Sequence, residues 1–176
     1  ESMFGRRWMD IYAIDVKTGV RTKAIEQIRH FHGGSATGRY VLYFKDGHFW
    51  TYELTTGHRA NITEGLPASF ADAEFDYPTE ERPAYGVAGW EMSDKSVLLY
   101  DRYDIWRVAS DGSSYARLTN GSQEDIRHRY IELDDATSGI DLAKPFYVSM
   151  YGQWTKKSGY ARIDVEGRTK SERLVW

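Results

Sequence analysis

The chain has no cysteine, which excludes disulfides and thiol catalysis. It has only 4 prolines in 176 residues. No apolar run approaches the roughly 20 residues that a membrane-spanning helix needs. The opening "ESMFGRRWMD" has neither an initiator Met nor a signal-peptide core, so the expectation is a processed start or an internal piece of a longer protein. Charge of one sign is missing too: the net charge is -3, and Lys and Arg are dispersed rather than gathered into the basic stripe of a nucleic-acid binder. Neither G-x-G-x-x-G nor a P-loop occurs, and no G-x-S-x-G marks a serine nucleophile.

What is present is aromatic. Phe, Trp and Tyr make up 15% of the chain, 13 of them Tyr, and such residues suit a pleated, half-buried surface. With 41% hydrophobic and 28% charged residues, the composition is that of a globular protein with a core. The chain also repeats itself. "DIYAIDVKTG" from Asp10, "HFWTYELTTG" from His48, "DIWRVASDG" from Asp104 and "GYARIDVEG" from Gly159 are four versions of a strand ending in a turn. Gly19, Gly57, Gly112 and Gly167 supply the positive φ that each turn needs. A second short strand follows each glycine: "VRTKAI", "HRANIT", "SYARLT" and "RTKSERLV".

Three of the copies have two more strands upstream. "RHFHGGSATG" leads into "RYVLYFKDG", "AYGVAGWEMSD" into "KSVLLYD", and "RHRYIELD" into "PFYVSMYGQWT". The spacing predicts three units of four antiparallel strands and a remnant of one more, at the ~40-residue period of propeller blades. Two insertions lengthen the later intervals: "LPASFADAEFDYPTEERP" and "DDATSGIDLAKP". A helical repeat is disfavoured, because the best helical stretch, "TKAIEQIRHF", is short and runs into Gly33 and Gly34. A β-sandwich is the remaining competitor, and phrase-level repetition favours a propeller. The expected fold is therefore all-β, a β-propeller segment of about three and a half four-stranded antiparallel blades. The expected division is a blade remnant at 1–26, blades at 27–66, 84–122 and 123–176, and an insertion loop at 67–83. An arc cut open leaves a blade face bare at each end, so further blades of the same protein, or a dimer through the open edges, are the expected partners.

The residues "SATGRYVLYFKDGHFWTYELTTGHRANITEG" resemble the repeat shared by TolB-type propellers and the propellers of S9 serine peptidases, the prolyl oligopeptidase and dipeptidyl- or acylaminoacyl-peptidase relatives. "AYGVAGWEMSDKSVLLYDRYDIWRVASDGSSYARLTNG" is similar to a unit of large bacterial S9-type peptidases, and "KPFYVSMYGQWTKKSGYARID" has look-alikes in the same group. Two turns depart from the repeat. Thr37 stands where Asp usually precedes Gly38, and "EMSDKS" lacks the usual glycine. The resemblance implies a non-catalytic propeller that gates an α/β-hydrolase domain and helps bind peptide substrate, in a periplasmic or exported bacterial protein. A TolB-like module that binds a protein partner, with no enzyme attached, is the alternative.

No residue is assigned a catalytic role, and no cofactor is expected. Ser35 in "GGSATG" reads as a turn residue. Polar residues of the first strands, Arg29, His32, Arg127 and Arg129, are the candidates for lining a channel. His30 and His32 share a strand face and could bind a metal with a third ligand from elsewhere, for example His128 in the equivalent "RHRY"; channel lining is the plainer expectation. The acidic insertion holds Asp72, Glu74, Asp76, Glu80 and Glu81, followed by Arg82, and is expected to be a solvated loop. Within it Glu80, Glu81 and Arg82 are candidate binding residues, the two glutamates for the free amino terminus of a peptide, as in dipeptidyl-peptidase propellers. A carboxylate pair for glycoside hydrolysis is the weaker alternative. Trp50, Trp90 and Trp106 are expected to pack between units, and Asp101 and Asp104 to bond within a turn.

Overall fold

Alternating apolar and polar residues bounded by Gly, Asp and Thr favour short strands with tight turns, and a computed structural model has fourteen strands among the residues it describes: 8–133, 138–166 and 171–176. β1 (Met9–Ile14) and β2 (Arg21–Ile28) form a two-stranded sheet I. Sheet II comprises β3 (His30–Gly34), β4 (Tyr40–Lys45), β5 (His48–Glu53) and β6 (Arg59–Asn61). Sheet III comprises β7 (Val87–Trp90), β8 (Ser96–Tyr100), β9 (Ile105–Ala109) and β10 (Tyr115–Arg117). Sheet IV comprises β11 (Ile126–Ile131), β12 (Phe146–Gly152), β13 (Ser158–Ile163) and β14 (Glu172–Val175). Within each sheet the strands lie in sequence order and pair antiparallel. The all-β expectation is met. "TKAIEQI" is strand β2, and among the described residues the helical element is one 3-10 turn at Gly121–Gln123. No helix among them is long and apolar enough to cross a membrane.

The period of two puts alternate side chains of each strand on opposite faces, and both faces of sheets II and III are apolar. Val41 and Tyr43 pack against Ala24, Ile25 and Ile28 of sheet I, with Trp50 at the margin. The other face of sheet II, with Leu42, Phe44 and Phe49, meets Val97, Leu99, Trp106 and Val108 of sheet III. The next face, with Leu98, Tyr100 and Ile105, meets Phe146, Val148, Met150, Ala161 and Ile163 of sheet IV. The sheets therefore stack in chain order along three apolar seams. Each fully buried Phe or Leu contributes about 1.5–3 kcal/mol to holding them.

A repeated polar device closes sheets II and III. The Thr63 hydroxyl accepts the Phe49 amide at 2.9 Å, and the Thr119 hydroxyl accepts the Ile105 amide at 3.0 Å. Thr63 also lies 3.4 Å from His48 Nδ1, whereas Thr119 donates to Asp104 at 2.7 Å. In this way the last strand of each unit is pinned to the start of the strand before it. Gly19, Gly57 and Gly112 have φ of 72°, 74° and 76°, as their turns require; Gly167 lies outside the described residues.

The two insertions do not behave alike in sequence, yet both brace neighbouring sheets. The first, between β6 and β7, was expected to be solvated. Its acidic stretch is indeed largely exposed, but the residue just ahead of it, Phe70, is buried against Phe49 and Trp106, ring centroids 5.9 and 6.4 Å away, in the seam between sheets II and III. The reason is apolar: "PASF" precedes the carboxylates and supplies an anchor. The second insertion runs from β11 to β12. Its Ile140 exchanges backbone hydrogen bonds with Trp90 and Met92 of sheet III, and Ile140 and Leu142 join the core shared with sheet IV.

Candidate functional site

The turns β4–β5, β8–β9 and β12–β13 and the starts of β3, β7 and β11 lie at one end of the sheets, because antiparallel consecutive strands bring them there. The first insertion crosses this end as a strap. Glu80 pairs with Arg29 at 2.5 Å, just ahead of β3. Glu81 accepts the Asp46 amide in the β4–β5 turn at 2.6 Å. Glu74 pairs with Arg102 in the β8–β9 turn at 2.8 Å and lies 3.5 Å from Gln153 Nε2 in the β12–β13 turn. The strap's carboxylates thus tie down sheets II, III and IV, and the two glutamates singled out for peptide capture are engaged in this bracing.

The first-strand residues divide between buried and exposed. Arg29 is largely buried, with its guanidinium 4.4 Å from the Trp8 ring centre. The His32 ring packs edge-on against Phe49, centroids 5.2 Å apart, and its Nε2 is shut off from solvent without a partner. Burial, with the charge of His30 adding to it, lowers the His32 pKa to about 4. The ring is neutral and packed on Phe49, while part of the residue stays exposed. Arg129 wraps over Tyr100, 4.4 Å from its ring centre, and donates to the carbonyls of His128, Asp101 and Arg102. Burial pulls its pKa below the ordinary arginine range. Arg127 is exposed beside Tyr151, and Arg82 is exposed with no ion pair among the described residues. Both are exposed cations without an ion pair among the described residues, as are Lys156 and Lys157 of the β12–β13 turn.

The histidines form no triad. His30 packs on Phe44 beside His32, whereas His128 is buried next to Gly121 and lines a cleft of about 440 Å³ between β10 and β13–β14. Among the described residues no three His, Cys, Asp or Glu side chains are grouped to hold a metal.

At the opposite end, the turn of sheet III reaches back to the turn of sheet II. Asp94 occupies the place of Gly38 in the repeat, with φ of 59° against 78°. Its carboxylate accepts Ser35 Oγ at 2.5 Å, the Thr37 amide at 3.1 Å and the Thr37 hydroxyl. Burial alone would raise its pKa, but these donors outweigh it and hold the carboxyl below the usual range. The missing glycine of "EMSDKS" and the unusual Thr37 are therefore two halves of one contact. Ser35 is a turn residue with a partner, held by Asp94 and accepting the Tyr40 amide at 2.9 Å. Asp101 bonds as expected within its turn, to the amides of Tyr103 and Asp104 and to Trp106 Nε1 at 2.7 Å. No protein-family model, curated protein or solved structure matches the chain.

Proposed function

We propose that sheets I to IV are successive blades of a β-propeller, and that this propeller is the non-catalytic, substrate-gating part of an S9-type serine peptidase. The observation that carries the fold is the stacking of sheets in chain order along apolar seams, each sheet built of consecutive strands. Support for the peptidase comes from the resemblance of "GWEMSDKSVLLYDRYDIW" to units of that family. Further blades cover the outer faces of sheets I and IV, where Tyr12, Ile14, Tyr147 and Tyr160 are exposed. In this role the strap narrows one end of the channel, and Arg82 and Arg127 meet the acidic or carbonyl groups of short peptides there.

The test is to capture the native protein with an antibody to this chain and treat it with a fluorophosphonate probe for activated serine. Labelling of a band well above 20.3 kDa supports the peptidase. An unlabelled band, in an extract where a known serine hydrolase does label, overturns it and favours a propeller that binds a protein partner.

A further inference from the structure

Asn120 and Gly121 form an Asn–Gly pair at the junction of sheets III and IV, where β10 hands over to β11. In a flexible chain this pair loses ammonia readily, because glycine leaves its backbone nitrogen unhindered. Here the glycine cannot be exchanged. A Cβ on Gly121 would sit 1.9 Å from the Ile126 carbonyl oxygen and 2.6 Å from His128 Nδ1. Asn120 is exposed, and its side chain makes no capping hydrogen bond.

The nitrogen that would react is held. The Gly121 amide donates to Asp104 Oδ1 at 2.5 Å, and the Ser122 amide to Oδ2 at 3.2 Å. Asp104 is fully buried, and the Thr119 hydroxyl fixes it at 2.7 Å. We propose that Asn120–Gly121 is a deamidation site kept closed by Asp104, so that opening of the junction commits the chain to aspartate or isoaspartate at position 120. In the open state, water or hydroxide takes the Gly121 amide proton. The nitrogen then attacks Asn120 Cγ: the N–Cγ bond forms, the Cγ–Nδ2 bond breaks and ammonia leaves. Water opens the resulting succinimide at either carbonyl. In the closed state the proton is shared with a buried carboxylate, whose negative charge disfavours the anionic amide nitrogen. The burial of Gly121 keeps hydroxide away as well. Nothing in this device depends on the peptidase assignment.

The test is peptide mapping by mass spectrometry after incubation in mildly alkaline buffer. Deamidation at Asn120 is expected to be at least about tenfold slower in the folded protein than in urea. Asp104→Asn, where circular dichroism shows it folded, is expected to lose most of that protection, and Asn120→Gln to lose the product. Should Asp104→Asn not fold, the wild-type rate in sub-denaturing urea is compared with hydrogen exchange at the Gly121 amide, and the two are expected to rise together. Equal rates folded and unfolded, a folded Asp104→Asn as slow as wild type, or a rate that ignores Gly121 exchange would each overturn the proposal.

Discussion

Ser35 Oγ donates to Asp94 Oδ2 at 2.5 Å, joining the turn of one sheet to the turn of the next. The bond exists because Asp94 accepts a left-handed backbone where the repeat has glycine. Asp94→Ala loses three donors to one carboxylate and keeps an unfavourable φ, so a loss of about 2–3 kcal/mol is expected by urea denaturation. Asp94→Gly relieves the backbone but not the lost bonds, and is expected to recover only about 1 kcal/mol. A glycine variant as stable as wild type would mean that the carboxylate contributes nothing between the sheets.

Phe70 is the apolar anchor of an otherwise acidic strap. Its ring fills the seam between Phe49 and Trp106, so Phe70→Ala should cost about 3–5 kcal/mol. What then holds the strap is the light packing of Ala68 and Ala71 and its carboxylate contacts, of which the exposed Glu74–Arg102 pair contributes little. Limited proteolysis is therefore expected to cut within 72–82 in the variant under conditions that leave the wild type intact.

His32 makes stability depend on pH. Its folded pKa is lowered from 6.5 to about 4, so between those values the unfolded chain takes up a proton that the folded chain refuses. Stability is complete above pH 6.5 and falls as the pH drops, by about 1–2 kcal/mol at pH 5 for a ring that keeps some exposure. Urea midpoints at pH 7 and pH 5 measure this, with His32→Gln expected to reduce the difference, the remainder including His128, whose pKa burial also lowers. An equal slope in the variant would assign the effect to other groups.

Strand positions were readable because period-two alternation and turn glycines are local signals: β5 and β9 fall where "HFWTYE" and "IWRVA" place them. Contacts between units were less readable. Asp94 is visible in sequence as an exception to a glycine, but its partners Ser35 and Thr37 lie one repeat earlier. For the strap, charge dominated the composition and hid Phe70, whose burial depends on a gap between two sheets. The position of His32 in its strand says nothing of its contact with Phe49, two strands over in the sheet.

Glu80 and Glu81 were candidates for holding a peptide's amino terminus, and their geometry leads to a different expectation. Glu80 is 2.5 Å from Arg29, and Glu81 accepts the Asp46 amide, so each carboxylate already faces a donor of its own chain. A peptide ammonium would have to displace these donors, and breaking the pair would leave the largely buried Arg29 without its counter-charge. The double variant Glu80→Gln, Glu81→Gln is therefore expected to change the affinity of the whole protein for an N-terminally free peptide by less than about twofold. It is expected instead to raise protease cleavage of the strap. Calorimetry with the free peptide and its N-acetylated counterpart separates the two roles. A loss of about tenfold or more, confined to the free amine, would restore the glutamates as the recognition site.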